Sequence, residues 1–74
     1  MKNIIKKIKD LVENSSYRDK LLSGDFGDKY GVPSGIRQIR DNFRNREDLE
    51  KFRKLEEGKE LNKLFKTLEN ADII

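Results

Sequence analysis

Residues 26–44 read Phe26-Gly27-Asp28-Lys29-Tyr30-Gly31-Val32-Pro33-Ser34-Gly35-Ile36-Arg37-Gln38-Ile39-Arg40-Asp41-Asn42-Phe43-Arg44, a glycine-rich segment followed by an arginine-rich one. Ile36, Ile39 and Phe43 recur at i, i+3 and i+7, which is the spacing of one face of an α-helix. The charged residues between them then lie on the opposite face. The stretch therefore predicts a turn that opens into an amphipathic helix with a basic, solvent-facing side.

The sequence on either side of this stretch has the same helical period, and no strand-like alternation exceeds a few residues. The predicted segments are helices over 3–13 and 17–23, a turn-and-helix segment over 25–44, a helix or helical hairpin over 46–70 and a tail over 71–74. We therefore expect an all-α fold, a small bundle of four to five short helices that forms a single domain over residues 1–74.

The apolar stripe of residues 46–70 changes sides at Gly58. If one straight helix is extended at about 100° per residue, the stripe that contains Phe52 and the stripe that contains Leu61 lie on opposite faces. We therefore expect a bend or hairpin at Gly58, or a straight helix that contacts the core with one stripe and a partner subunit with the other. The predicted common core consists of Ile4, Ile8, Leu11, Leu21, Phe26, Ile36, Ile39, Phe43, Phe52 and Leu61.

Composition limits the chemistry of this chain. A chain of 74 residues, 42% of them charged, forms only one small core with little room for an enclosed active site. It has no cysteine and no histidine, so thiolate chemistry, zinc-thiolate sites and the usual proton shuttle are absent. The acids of 47–60 alternate with bases at i, i+4 spacing, which supports a helix. We expect no enzyme activity, no catalytic residue, no metal site, no cofactor and no small-molecule substrate.

The N-terminal segment is basic but does not indicate a membrane protein. Lysines interrupt its apolar residues, so it lacks the apolar region of a signal peptide, and no apolar run is long enough to span a bilayer. Lysines beside an isoleucine stripe also suit a membrane-surface helix, but Asp10 and Glu13 interrupt the positive face. We expect a cytoplasmic protein that makes no membrane contact.

The charge is unevenly distributed along the chain. Residues 1–46 carry a net charge of +5 and residues 47–74 a net charge of −2. Five of the six arginines fall between Arg37 and Arg53. Because the planar guanidinium fork matches phosphates, base edges and carboxylates, the arginine-rich helix is the candidate binding element.

Residues 26–44 resemble the helix-turn-helix of DNA-binding proteins. That motif has a small residue, an apolar residue before the turn, a glycine in the turn and an apolar residue after it. The residues at these positions are, in order, Gly27, Tyr30, Gly31 and Val32. The next buried aliphatic of that family lies six residues past the turn glycine, whereas Ile36 lies five past Gly31, so this turn is one residue shorter. The resemblance implies that helix 34–44 reads duplex DNA. It implies base contacts from Ser34, Arg37, Gln38 and Arg40, and phosphate contacts from Arg44 and Arg46.

Two functions remain open for the arginine face of this helix. The first is a small DNA-binding regulatory protein of a phage, plasmid or host operon, acting in transcription regulation as a homodimer through residues 47–70. The second is a non-enzymatic adaptor, inhibitor or antitoxin-like protein that binds an acidic protein surface through Arg37, Arg40, Phe43 and Arg44. The same pattern also occurs in an ordinary solvent-exposed helix of a highly charged protein that binds no nucleic acid.

Overall fold

Five α-helices and one 3-10 turn form the part of the chain that the structure, a computed structural model, describes, namely residues 2–22 and 32–74. The elements are α1 (Lys2–Glu13), α2 (Arg18–Leu21), α3 (Val32–Asn45), the 3-10 turn Glu47–Leu49, α4 (Glu50–Lys54) and α5 (Glu56–Asn70). These residues contain no strand. The predicted all-α fold, a small bundle of short helices, is confirmed.

The turn predicted before α3 lies outside the described residues. These exclude residues 23–31, and with them three of the four residues that match the helix-turn-helix pattern, Gly27, Tyr30 and Gly31. α3 itself begins at Val32, two residues before the predicted helix 34–44, and ends at Asn45, one residue after it. The helix that carries the candidate binding residues other than Arg46 is therefore present, slightly longer than predicted.

One apolar core contacts all five helices. Its buried side chains are Ile8, Val12, Leu21, Ile36, Ile39, Phe43, Leu49, Phe52, Leu61, Phe65 and Leu68. Most of the predicted core positions are among them. Ile4 and Leu11 are only partly buried against this core, and Phe26 lies outside the described residues. The periodic apolar residues therefore identify the core, because the 3.6-residue period determines which side chains share a helix face.

Four aromatic rings run through this core in series. The Tyr17 and Phe52 ring centroids are 5.0 Å apart, and Phe52 meets Phe43 edge to face at 5.8 Å. Phe43 in turn lies 5.7 Å from Phe65 of α5. Phe43 thus joins α3 to both α4 and α5, and it places the C-terminal half of α3 beside these two helices.

The helix break expected at Gly58 occurs instead at Leu55. The backbone of Leu55 is extended (φ −75°, ψ 158°), and its N–H donates to the Phe52 carbonyl at 3.1 Å. Gly58 is buried in the first turn of α5. A Cβ built on Gly58 would overlap the Phe52 carbonyl oxygen and lie 2.8 Å from its carbonyl carbon. The predicted position was therefore wrong: glycine is required at 58 because α5 approaches the end of α4 closely.

The C-terminal residues close α5 with a Schellman motif. Asp72 has a left-handed backbone (φ 58°), and its N–H donates to the Glu69 carbonyl at 3.1 Å. The N–H of Ile73 donates to the Leu68 carbonyl at 3.0 Å, and Ile73 packs against the core. This arrangement satisfies the last helix carbonyls and fixes the final turn of α5, where Glu69 lies. No helix in the described part of the chain is long and apolar enough to cross a membrane.

Candidate nucleic-acid interface

α3 has one buried face and one exposed face. The buried residues are Gly35, Ile36, Ile39 and Phe43. The exposed residues are Arg37, Gln38, Asp41, Arg44 and Asn45. This division confirms the faces expected from the spacing of the apolar residues. The exposed face is the candidate interface.

The first half of α3 presents two long polar side chains to solvent. Arg37 and Gln38 are exposed, and neither makes a hydrogen bond or ion pair with another residue of 2–22 or 32–74. Ser34, one helical turn before Gln38, is partly buried. A guanidinium offers five N–H donors, and a glutamine amide offers both donors and an acceptor. These groups are therefore available to a partner at this face.

Arg40 and Arg44 are held by Glu69 of α5. Arg44 donates from Nη1 to Oε2 of Glu69 at 3.0 Å and from Nη2 to Oε1 at 2.6 Å, a bidentate pair. Arg40 Nη1 donates to the same carboxylate at 3.5 Å, and Arg40 also bonds Asp41 Oδ1. The Arg40 side chain is only 18% exposed, against 34% for Arg44. Both arginines therefore link α3 to α5. Part of the positive charge predicted for the site is neutralised by these ion pairs within the protein.

These hydrogen bonds change the ionisation of Glu69. The donating Arg44 guanidinium holds the pKa of Glu69 below its usual value, although removal of the carboxylate from water opposes this effect. The charges of Arg44 and Arg40 act in the same direction as the hydrogen bonds. Glu69 in turn raises the pKa of Arg44. The pair is thus ionised at neutral pH, and it fixes the Arg44 side chain.

Arg46 directly follows α3 and has a different ion-pair partner from Arg44. It donates from Nε and Nη2 to the two carboxylate oxygens of Asp48, at 3.0 Å and 2.9 Å. Asp48 Oδ2 also lies 3.9 Å from Lys20 Nζ of α2. The hydrogen bond from Arg46 lowers the pKa of Asp48. Arg46 is therefore on the α2 side of α3, and the structure does not bring it together with the two arginines held by α5.

Arg53 is a further basic residue at this end of α3, and the sequence analysis did not predict its role. Its Nη1 donates to the Phe43 carbonyl at 2.7 Å and to the Arg46 carbonyl at 3.0 Å. The last carbonyls of a helix lack partners within the helix and carry partial negative charge, so a cation there is favourable. Arg53 of α4 thus caps α3 from outside.

No protein-family model matches this chain, and no curated protein or solved structure matches it. Within the described ranges, no three acidic side chains are placed to hold a metal ion. What the face offers is a donor pair at Arg37 and Gln38, with fixed guanidinium groups farther along α3. Such groups recognise oxygen and nitrogen acceptors on nucleic acids or proteins.

Because the pKa of Glu69 is lower in the folded than in the unfolded protein, its pairing stabilises the fold above the unfolded pKa of about 4.3. This stabilisation is lost as the pH falls through the lower, folded-state pKa. We expect Glu69→Gln to be less stable than the wild type at pH 7 and to lose less stability between pH 5 and about pH 2, as measured by urea unfolding.

The matched control for this experiment is Glu60→Gln. Glu60 is an exposed carboxylate of the same helix and forms no ion pair with the described residues. This variant should retain the acid-induced loss of stability seen in the wild type. Identical pH profiles for wild type and Glu69→Gln would show that the Arg44–Glu69 pair adds nothing to folding in solution.

Proposed function

We propose that the protein is a small, non-enzymatic regulator of transcription that binds duplex DNA with the exposed face of α3. The observation that carries this proposal is the pair Arg37 and Gln38, exposed side by side with no partner in the described part of the chain. An α-helix fits the DNA major groove, where arginine pairs bidentately with guanine and glutamine with adenine. The 14 residues of α3 provide the length for such an insertion.

In this proposal some residues of α3 contact bases and others contact phosphates. Arg40 is largely buried and held by Asp41 and Glu69, so base contacts are assigned to Arg37 and Gln38, with Ser34 beside them. Arg44 remains partly exposed and is held in place, which lowers the entropy lost when it binds a phosphate. In this proposal Arg46 contacts a phosphate on the α2 side.

The proposal also specifies how the protein acts. Because Glu69 neutralises part of the positive charge, non-specific DNA binding should be modest and should depend less steeply on salt than it would if Arg40 and Arg44 were both unpaired. One helix of this size reads few base pairs, so two copies on a two-fold symmetric site are expected. This role suits a cytoplasmic regulator of a phage, plasmid or host operon.

The proposal is tested by selecting bound sequences from a randomised duplex pool at low salt, followed by gel-shift titrations on the enriched site. Arg37→Ala should weaken binding to that site by about 1–3 kcal/mol and flatten the preference, because a bidentate base contact is lost. Arg37→Lys should bind non-specific duplex nearly as well as wild type but lose the preference, because lysine keeps the charge without the fork.

Lys63→Ala is the control, because Lys63 is an exposed cation on α5 that faces the groove against α1. It should leave the sequence preference unchanged. The proposal fails if no sequence is enriched and duplex binding is weak at low salt. The arginine face would then be assigned to an acidic protein partner, for which the carboxylate contacts of Arg40 and Arg44 are a precedent within this fold.

A further inference from the structure

A cleft of about 220 Å³ lies where the C-terminal half of α3 meets α4 and α5. Its lining residues are Phe43, Arg44, Arg53, Lys59 and Asn62. Three of these side chains are cations, one is an amide donor and none is an acid. We refer to this feature as the cation cleft. Since a water molecule occupies about 30 Å³ of liquid, the cleft has room for a small oxyanion together with a few waters.

The fold holds the two guanidinium groups of the cation cleft in place. Arg53 is anchored through Nη1 to the carbonyls of Phe43 and Arg46. Its Nε and Nη2 have no acceptor within the described residues. Arg44 is anchored through Nη1 and Nη2 to Glu69, which leaves its Nε–H without an acceptor among those residues. Unused donors on pre-positioned guanidinium groups are what a planar or tetrahedral oxyanion requires.

Lys59 is the most exposed cation of the cation cleft. Its side chain is 64% exposed, and its nearest acid, Glu56, lies at 3.9 Å and is itself almost fully exposed. Such an exposed ion pair contributes little to stability, so the Lys59 side chain can turn toward an anion at a small cost in free energy. Asn62 lies nearly one turn farther along α5 and offers amide N–H donors.

The groove between α1 and α5 differs from the cation cleft because acidic side chains line it throughout. Its walls include Lys7, but also the acids Asp10, Glu57 and Glu60. An anion at that end of the groove would meet three like charges and one opposite charge, and farther along α5, beside Lys59 and Lys63, it would still meet Glu56 and Glu60. The absence of acids from the lining of the cation cleft therefore distinguishes it as an anion site rather than as one part of a uniformly mixed surface.

We propose that the cation cleft binds one phosphate oxyanion, and that its source is a phosphodiester of the duplex that α3 contacts. The choice of source rests on the proposed function. Arg44 lies seven residues from Arg37, about 10.5 Å along the helix axis at about 1.5 Å per residue. A phosphate in the cleft thereby fixes the register of α3 on the DNA.

The first test follows the full-length protein by two-dimensional proton–nitrogen NMR during titration with inorganic phosphate, and separately with duplex DNA. We expect saturable shifts of the Asn62 side-chain amide and of the Arg53 Nε–H signal with both probes. Lys59→Gln should weaken the phosphate-induced shifts, whereas Lys63→Gln, the same change one turn along α5, should not. Lys59 is chosen because removal of Arg53 would also remove the cap of α3.

The second test is the salt dependence of duplex binding. Lys59→Gln should reduce the slope of log K against log salt by about 0.9, the value for one lost phosphate contact, while Lys63→Gln leaves it unchanged. The protein could instead bind duplex DNA while the Asn62 and Arg53 signals stay unchanged and both variants have equal slopes. That result would overturn the cleft proposal and leave the proposed function standing.

The remaining outcomes separate the two sources of phosphate. Shifts with inorganic phosphate in a protein that binds no duplex would support the oxyanion site and overturn DNA as its source, together with the proposed function. Shifts with duplex alone, reversed by Lys59→Gln, would support the phosphodiester as the ligand. No response of the cleft signals to either probe would overturn the oxyanion site itself.

Discussion

Phe43→Ala should lower the free energy of unfolding by about 3–5 kcal/mol. The Phe43 side chain is only 2% exposed, and its ring contacts Phe52 of α4 and Phe65 of α5. Alanine would leave a cavity where three helices meet, because neither neighbouring ring can fill the space without moving its own helix. The loss of two aromatic contacts adds to the loss of apolar burial.

This loss is a large share of the stability available to the domain. A chain of 74 residues at about 0.05–0.15 kcal/mol per residue has a total of about 4–11 kcal/mol. Thermal unfolding followed by circular dichroism should therefore show a Tm lower by about 12 °C or more. Leu55→Ala is the control, since Leu55 is 49% exposed and its truncation should cost about 1 kcal/mol or less. A Tm for Phe43→Ala as high as that of the control would contradict the central position of Phe43.

The helices and most of the core were predictable because they depend on local spacing. Ile36, Ile39 and Phe43 share a face in any α-helix, whatever surrounds it, so their burial follows once the helix forms. The same period identified Ile8 in α1 and Leu61 in α5. The spacing of the apolar residues therefore indicates which residues face inward and which face of α3 remains outside.

The electrostatic partners of the site could not be predicted in this way. Glu69 is 25 residues from Arg44 and 29 from Arg40, and no local pattern indicates which flank of α3 will face α5. The sequence assigned Arg40 and Arg44 to one exposed basic surface. The packing of α5 instead gives them a common carboxylate, which leaves Arg37 as the member of that surface with no ion-pair partner in the described ranges.

Arg53 is a second residue whose contacts the local sequence pattern does not indicate. On α4 it falls in a run of alternating charges, which suggests a solvated surface side chain. In the fold it donates to two carbonyls at the end of α3 and lines the cation cleft. The helix break at Leu55 positions α4 for these contacts. The change of side in the apolar stripe of residues 46–70 indicates that a helix break exists but not at which residue it occurs.

Gly58→Ala should lower the free energy of unfolding by about 1–3 kcal/mol, although alanine is about 1 kcal/mol better than glycine within a helix. The new Cβ would overlap the Phe52 carbonyl oxygen and crowd its carbonyl carbon. These are backbone atoms, so no side-chain rotation relieves the contact. α5 must shift away from α4, and the buried Leu61 and Phe65 must shift with it.

The sign of the change is the test, measured by urea unfolding at neutral pH. Lys63→Ala, at an exposed position of the same helix, should change the stability by no more than about 0.5 kcal/mol. A destabilised Gly58→Ala beside an unchanged Lys63→Ala supports the close approach of α5 to Phe52. If Gly58→Ala were more stable than wild type by about 1 kcal/mol, helix propensity alone would account for the change. The first turn of α5 would then have to lie farther from the end of α4 than a Cβ at residue 58 requires.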